Sequence, residues 1–171
     1  MTGEAAPIIV SALFGAEDFA WLNGLRRRHF PPERNVIDAH LTLFHHLPPS
    51  VSQELKDRLN AETRGSSPPR ARLSGLMSLG RGVAFRVESP ELEAIRDRLA
   101  DAFTGLLTPQ DQQSWRPHVT IQNKVEPAEA KGLLEQLSRD FAPRPLQIAG
   151  LASWYYRGGP WEPLSTHKFA R

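Results

Sequence analysis

Two four-residue stretches carry side chains suited to moving protons around an anionic centre. His40-Leu41-Thr42-Leu43 and His118-Val119-Thr120-Ile121 both read His, apolar, Thr, apolar. In a strand, residues i and i+2 share a face. Each stretch therefore offers one imidazole and one hydroxyl to a single wall, with Leu41 and Leu43, or Val119 and Ile121, turned toward a core. Imidazole titrates near neutrality and can take or give a proton. In-line displacement at phosphorus needs both acts, one at the attacking oxygen and one at the leaving oxygen. Threonine hydroxyls can donate to the non-bridging oxygens that hold the charge. That chemistry requires no metal, and neither motif histidine has a carboxylate or Cys near it in zinc-like spacing.

The two stretches lie 78 positions apart, and the match continues without a gap. Pro49 matches Pro127, Leu55 matches Leu133, and Leu59 matches Leu137. Leu41, Leu43 and Leu47 correspond in character to Val119, Ile121 and Val125. Such self-similarity marks a duplicated supersecondary unit. His45 and His46 break it, because Asn123 and Lys124 stand in the matching places. Neither half then needs imidazole there, and His45 and His46 are expected to be dispensable. A metal cluster built from His40, His45 and His46 is the lesser alternative. His29 and His167 are read as bystanders.

On these residues the chain resembles the two-histidine (2H) phosphoesterase superfamily. The Arg116-Pro117-His118-Val119-Thr120-Ile121 stretch is most similar to its 2′-5′ RNA ligase and cyclic phosphodiesterase branch. The resemblance implies two pseudo-symmetric lobes, each a small antiparallel sheet flanked by helices, with the motifs facing one another across a central cleft. It implies a metal-independent opening of 2′,3′-cyclic phosphates of RNA ends or nucleotides to 2′-phosphates, with reversible 2′-5′ ligation as the related activity. His40 and His118 would form the acid/base pair, and Thr42 and Thr120 would hold the phosphate. By resemblance alone, His118 is the base that activates water and His40 the acid at the leaving 3′ oxygen. Many members carry a basic residue shortly after the second motif. Here Gln122 and Asn123 intervene before Lys124, so no third phosphate group is assigned. Two competing readings are a non-catalytic nucleotide or RNA-end binding module and a metal-dependent hydrolase using the His45 region.

The elements that must position these residues can be read in order. Residues 7–14 form an apolar strand, and 17–29 a helix with Glu17 and Asp18 at its start and arginines at its end, as the helix dipole favours. Phe19, Leu22 and Leu25 or Arg26 mark its inner side. The run Arg26-Arg27-Arg28 is read as a solvated helix end. Pro31 and Pro32 break the chain before the first motif strand, 38–44. Ser50 and Gln53 resemble a capping box for a helix with Leu55 and Leu59 inward. Strands at 72–79 and 83–87 flank a Gly80-Arg81-Gly82 turn, and Ser89-Pro90 opens the next helix. Residues 108–114 are read as a polar loop before the second motif strand, 116–122. A helix with Leu133, Leu134, Leu137 and Phe141 inward follows, then a hairpin over 146–157 and 161–169. The total is about eight strands and four helices in an α+β arrangement. Arg116 is either a phosphate contact or a solvated strand end. Trp154, Tyr155, Tyr156 and Trp161 cluster on the hairpin, with core packing expected and base stacking the alternative.

Composition bounds the reading. The chain has 171 residues, no Cys and a formal net charge of +2, with an isoelectric point near 9.3. One two-lobed domain over residues 1–171 is expected. Without Cys there is no thiol nucleophile and no thiolate metal site. No apolar run is long enough to span a bilayer, and Met1-Thr2-Gly3-Glu4 does not begin a secretory signal. A cytoplasmic monomer without cofactor, acting on a nucleotide or RNA end, is expected. The weak positive balance does not suggest a duplex-binding surface.

Overall fold

A computed structural model describes residues 5–170; the reading of Met1 to Glu4 lies outside the described residues. The elements follow as β1 (Ile8–Phe14), α1 (Ala16–His29), β2 (Leu41–Leu47), α2 (Ser52–Thr63), β3 (Arg70–Ser78) and β4 (Val83–Glu88). Then come α3 (Pro90–Ala102), α4 (Pro109–Gln112), β5 (His118–Gln122), α5 (Pro127–Asp140), β6 (Arg144–Tyr155) and β7 (Glu162–Lys168). Among the described residues there are seven strands, not about eight. The α+β class with two pseudo-symmetric, helix-flanked antiparallel halves is what the structure has.

The symmetry is visible in strand order. The sheet runs β2-β1-β6-β3-β4-β5, with β7 also paired to β6. Group the chain as β1-α1-β2-α2-β3 and β4-α3-β5-α5-β6. Exchanging the groups converts the order into its own reverse. Each half therefore lends its third strand to the other: β6 pairs with β1, while β3 pairs with β4. The halves share one hydrophobic core, in which Leu41, Leu43, Val119, Ile121, Leu55 and Leu133 all take part.

The duplicated motifs also share an irregularity. Val10 pairs with Phe44 and Ser11 with Thr42, so Leu43 is an extra residue in β2. Val83 pairs with Gln122 and Ala84 with Thr120, so Ile121 is the extra residue in β5. A bulge at this point interrupts alternation and bends the strand. It buries Leu43 together with Phe44, and Ile121 together with Gln122. β2 has a second irregularity between Phe44 and Leu47, and β5 ends before any counterpart.

Local signals mostly behave as their chemistry dictates. The Ser89 hydroxyl accepts from the Leu92 amide at 3.1 Å and donates to the Arg70 carbonyl at 2.7 Å, starting α3 with Pro90 in its first turn. The Ser50 and Gln53 capping box does not form. Pro49–Val51 instead make a 3₁₀ turn that runs into α2, with Val51 at the N-cap position and no side-chain cap. Ser50 is thus inside a turn of its own, and Gln53 bonds Asp57. Gly82 has a steric role: a Cβ there would run into the Gln122 carbonyl and the Asn123 Cα, so only glycine lets β4 approach β5 this closely.

Candidate active site

His40, Thr42, His118 and Thr120 all line one cleft of about 770 Å³. The imidazoles are anchored identically. His40 Nδ1 lies 2.8 Å from the Asp38 carbonyl, and His118 Nδ1 lies 2.7 Å from the Arg116 carbonyl, each two residues back. A carbonyl only accepts, so Nδ1 carries the proton in both rings. Nε2 is left as the nitrogen available to the cleft.

The rings nevertheless sit in different surroundings. Trp161 packs edge-on against His40, with ring centroids 4.6 Å apart. Burial pushes the His40 imidazole down to about 4; the Asp38 hydrogen bond opposes this, and positive charge on Arg26, His118 and His45 adds to it. At neutral pH His40 is therefore uncharged, with its proton on Nδ1 and Nε2 free to accept.

Two buried arginines hold the motif strands, each from the opposite half. Arg26 on α1 donates from Nη1 to the Thr120 carbonyl at 3.1 Å and from Nε to Asn35 at 2.7 Å, and lies 4.1 Å over the Phe30 ring. Burial lowers its guanidinium to about 10, against the attraction of Asp38, so it stays charged. Arg96 on α3 donates from Nε to the Leu43 carbonyl at 3.1 Å and from Nη2 to the Asp111 carbonyl at 2.8 Å, and lies 4.3 Å over Phe44. Trp115 adds an indole N–H to the Thr42 carbonyl at 3.0 Å. Asn23, also on α1, accepts from the Ala39 amide at 2.9 Å and so fixes the turn whose Asp38 carbonyl orients His40.

His45 also lines the cleft. Its amide and ring Nδ1 both donate to Asp111, which takes the His46 amide as well. Burial alone would raise the Asp111 carboxyl, but hydrogen bonds from the His45 ring and the two amides hold it below the usual range. His45, read from sequence as dispensable, thus stands in the cleft lining beside the motif residues. The bulge at Leu43 shifts the alternation by one residue and puts this ring on the Thr42 face. His46 is exposed and outside the cleft lining. Among the described residues, no three His, Cys, Asp or Glu side chains converge as a metal-ligand set.

The sequence model of the 2′-5′ RNA ligase superfamily matches residues 14–160. The chain belongs to this superfamily. Solved structures share its fold. TT0787 of Thermus thermophilus is 17% identical over 95% of this chain and 97% of that one, with a TM-score of 0.67. E. coli LigT in complex with 3′-AMP is 16% identical over 98% and 100%, with a TM-score of 0.63. E. coli LigT in complex with NADP+ is 15% identical over the same shares, with a TM-score of 0.64. No curated protein matches the chain.

For this 2′-5′ RNA ligase superfamily chain, sequence reading left Arg26 ambiguous and missed Asp111. Arg26 was read two ways, as a candidate for the inner side of α1 and as part of a solvated run: Arg27 and Arg28 are exposed as a solvated helix end would be, but Arg26 is 4% exposed. Its spacing from Leu22, one helical turn, is the signal that it faces inward. Asp111 lay in a stretch read as a polar loop. That stretch holds the one-turn helix α4, capped by Thr108, and points a buried carboxylate at β2. Arg116 is exposed at the cleft. Of the hairpin aromatics, Tyr155 packs on the core and Tyr156 is exposed, while Trp161 reaches the cleft with Trp154 beside it.

Proposed function

We propose that the chain is a metal-independent phosphoesterase that opens 2′,3′-cyclic phosphates of nucleotides or RNA ends to 2′-phosphates. The observation that supports this most is the pair of histidines anchored alike through Nδ1, both offering Nε2 to one cleft beside a threonine hydroxyl. Water attacks phosphorus as His40 Nε2 takes its proton. The bond from phosphorus to the 3′ oxygen breaks as His118 Nε2 delivers a proton to that oxygen. Thr42 and Thr120 donate to the non-bridging oxygens. The products are a 2′-phosphomonoester and a 3′-hydroxyl, and proton exchange with solvent restores both rings. With a 5′-hydroxyl in place of water, the same step gives a 2′-5′ linkage.

This reverses the assignment drawn from resemblance, in which His118 was the base. The base must begin without a proton, and the burial of His40 favours that state in the free protein. A nucleotide substrate also suits a fold whose relative LigT is known with 3′-AMP and NADP+ bound. The same reading treats residues 1–171 as one two-lobed, cytoplasmic unit that uses no metal. The test is turnover of nucleoside 2′,3′-cyclic phosphates with and without EDTA, with products assigned by phosphorus NMR. A 2′-phosphate formed in EDTA is expected. Binding without turnover would leave only a nucleotide-binding module, and loss of activity in EDTA would return the metal-dependent alternative.

A further inference from the structure

We propose that His45, held by Asp111, binds a second phosphate of the substrate, one not undergoing reaction. The proposal rests on the phosphoesterase reading above, and it separates substrates with a phosphate 5′ to the reacting ribose from simple nucleoside cyclic phosphates.

The dyad is built more completely than a structural cap requires. Asp111 is 1% exposed and His45 44% exposed, so a dry carboxylate orients a ring that faces the cleft. Two backbone amides already bond the carboxylate, yet the ring Nδ1 joins them at 3.0 Å. Arg96 pins the Asp111 carbonyl from below. With Nδ1–H committed to Asp111, Nε2 can donate only as imidazolium. A charged Nε2–H there pairs with an anion by a charge-assisted hydrogen bond. A ribose hydroxyl or neutral base would gain far less from the pairing.

The dyad also stands outside the duplicated machinery. Asn123 occupies the place matching His45, so the acid–base pair is complete without it. The lining of the cleft offers both aromatic surface and hydrogen-bond donors. Trp161 closes one side against His40. Arg116, Gln110, Gln113 and Ser114 line the cleft together with His45 and add hydrogen-bond donors. Aromatic surface suits a base, and donors suit a phosphate. The ligand class is a nucleotide with its reacting phosphate on the 2′,3′ edge and a further phosphate at the 5′ position.

The test measures binding by calorimetry for wild type, His45→Gln and His45→Lys. The probes are adenosine 2′-monophosphate, adenosine 2′,5′-bisphosphate, and a diadenylate ending in a 2′-phosphate. Wild type is expected to favour at least one two-phosphate probe by about 10- to 100-fold, the worth of one charge-assisted hydrogen bond. The preferred probe tells a 5′-monoester from an internal phosphodiester. His45→Gln should lose that preference, and His45→Lys should recover part of it. No preference in wild type, or the same preference in His45→Gln, overturns the proposal even if cyclic phosphates are turned over. A preference lost in His45→Gln but no turnover in wild type supports the second phosphate site and sinks the phosphoesterase reading instead.

Discussion

The assignment of His40 as base makes a sharp prediction about acid. An ordinary histidine base with a pKa of 6.5 is roughly one-tenth deprotonated at pH 5.5. With the His40 imidazole lowered to about 4, roughly 97% is deprotonated at that pH. The value of kcat/KM reports the free protein, which is the state in which this burial acts. Measured from pH 4 to 9 on a nucleoside 2′,3′-cyclic phosphate, kcat/KM should not fall between pH 7 and pH 5.5, where an unperturbed base would cost about eightfold. The acid limb should bend only as pH approaches 4. The apparent values belong to the pair of rings, so the limb must also disappear in His40→Ala before it is attributed to His40. A bend near 6.5 refutes the burial argument. A rate still climbing at pH 4, with no acid limb, refutes the role, because then the protonated His40 is the active form.

The remaining expectations follow from the same geometry. His40→Ala and His118→Ala should each lower kcat by about 10² to 10⁴, and Thr42→Ala and Thr120→Ala by about 10 to 10³, with folding checked by circular dichroism. A substrate whose leaving group needs no proton should rescue His118→Ala and leave His40→Ala slow; the opposite pattern restores His118 as base. Arg26→Met and Arg96→Met should each lower stability by about 1–3 kcal/mol per carbonyl left unpaired, seen as an earlier denaturant midpoint. Stability should fall as pH drops from about 6.5 toward 4, because the folded protein keeps His40, and also His29 and His167, below their ordinary values and so favours their neutral forms. Asp111 adds a loss below that window, since its depressed carboxyl is stabilising only while ionised. A denaturant midpoint flat from pH 7 to 4 would contradict this.

What sequence made legible was whatever depends on short-range pattern. His and Thr at i and i+2 announce a shared face, and Ser89-Pro90 announces a helix start; both hold. The 78-residue offset carried the symmetry, including bulges at Leu43 and Ile121 that no propensity would reveal. What failed was whatever depends on partners distant in the chain. Arg26 reads both as inward and as solvated until Thr120 is placed beside it, 94 positions away. Asp111 looks like a loop carboxylate until β2 presents two amides to it, freed by an irregularity in pairing. The exchange of β3 and β6 between halves is equally invisible, because it is a choice of neighbour and not of local conformation.

That exchange explains why the arginines are buried at all. A guanidinium placed in a core is costly to desolvate. Here each arginine leaves a helix of one half and ends on the motif strand of the other, Arg26 at Thr120 and Arg96 at Leu43. The two walls of the cleft are thus tied crosswise, close to the residues that the proposed reaction needs on opposite sides of phosphorus. Acid–base catalysis by two rings is sensitive to their separation, because a misplaced group can lose far more rate than its hydrogen bonds are worth in stability. The crossed pair fixes that separation by bonds to the backbone and not by side-chain packing. The duplicated fold thereby supplies two histidines and also holds the distance between them.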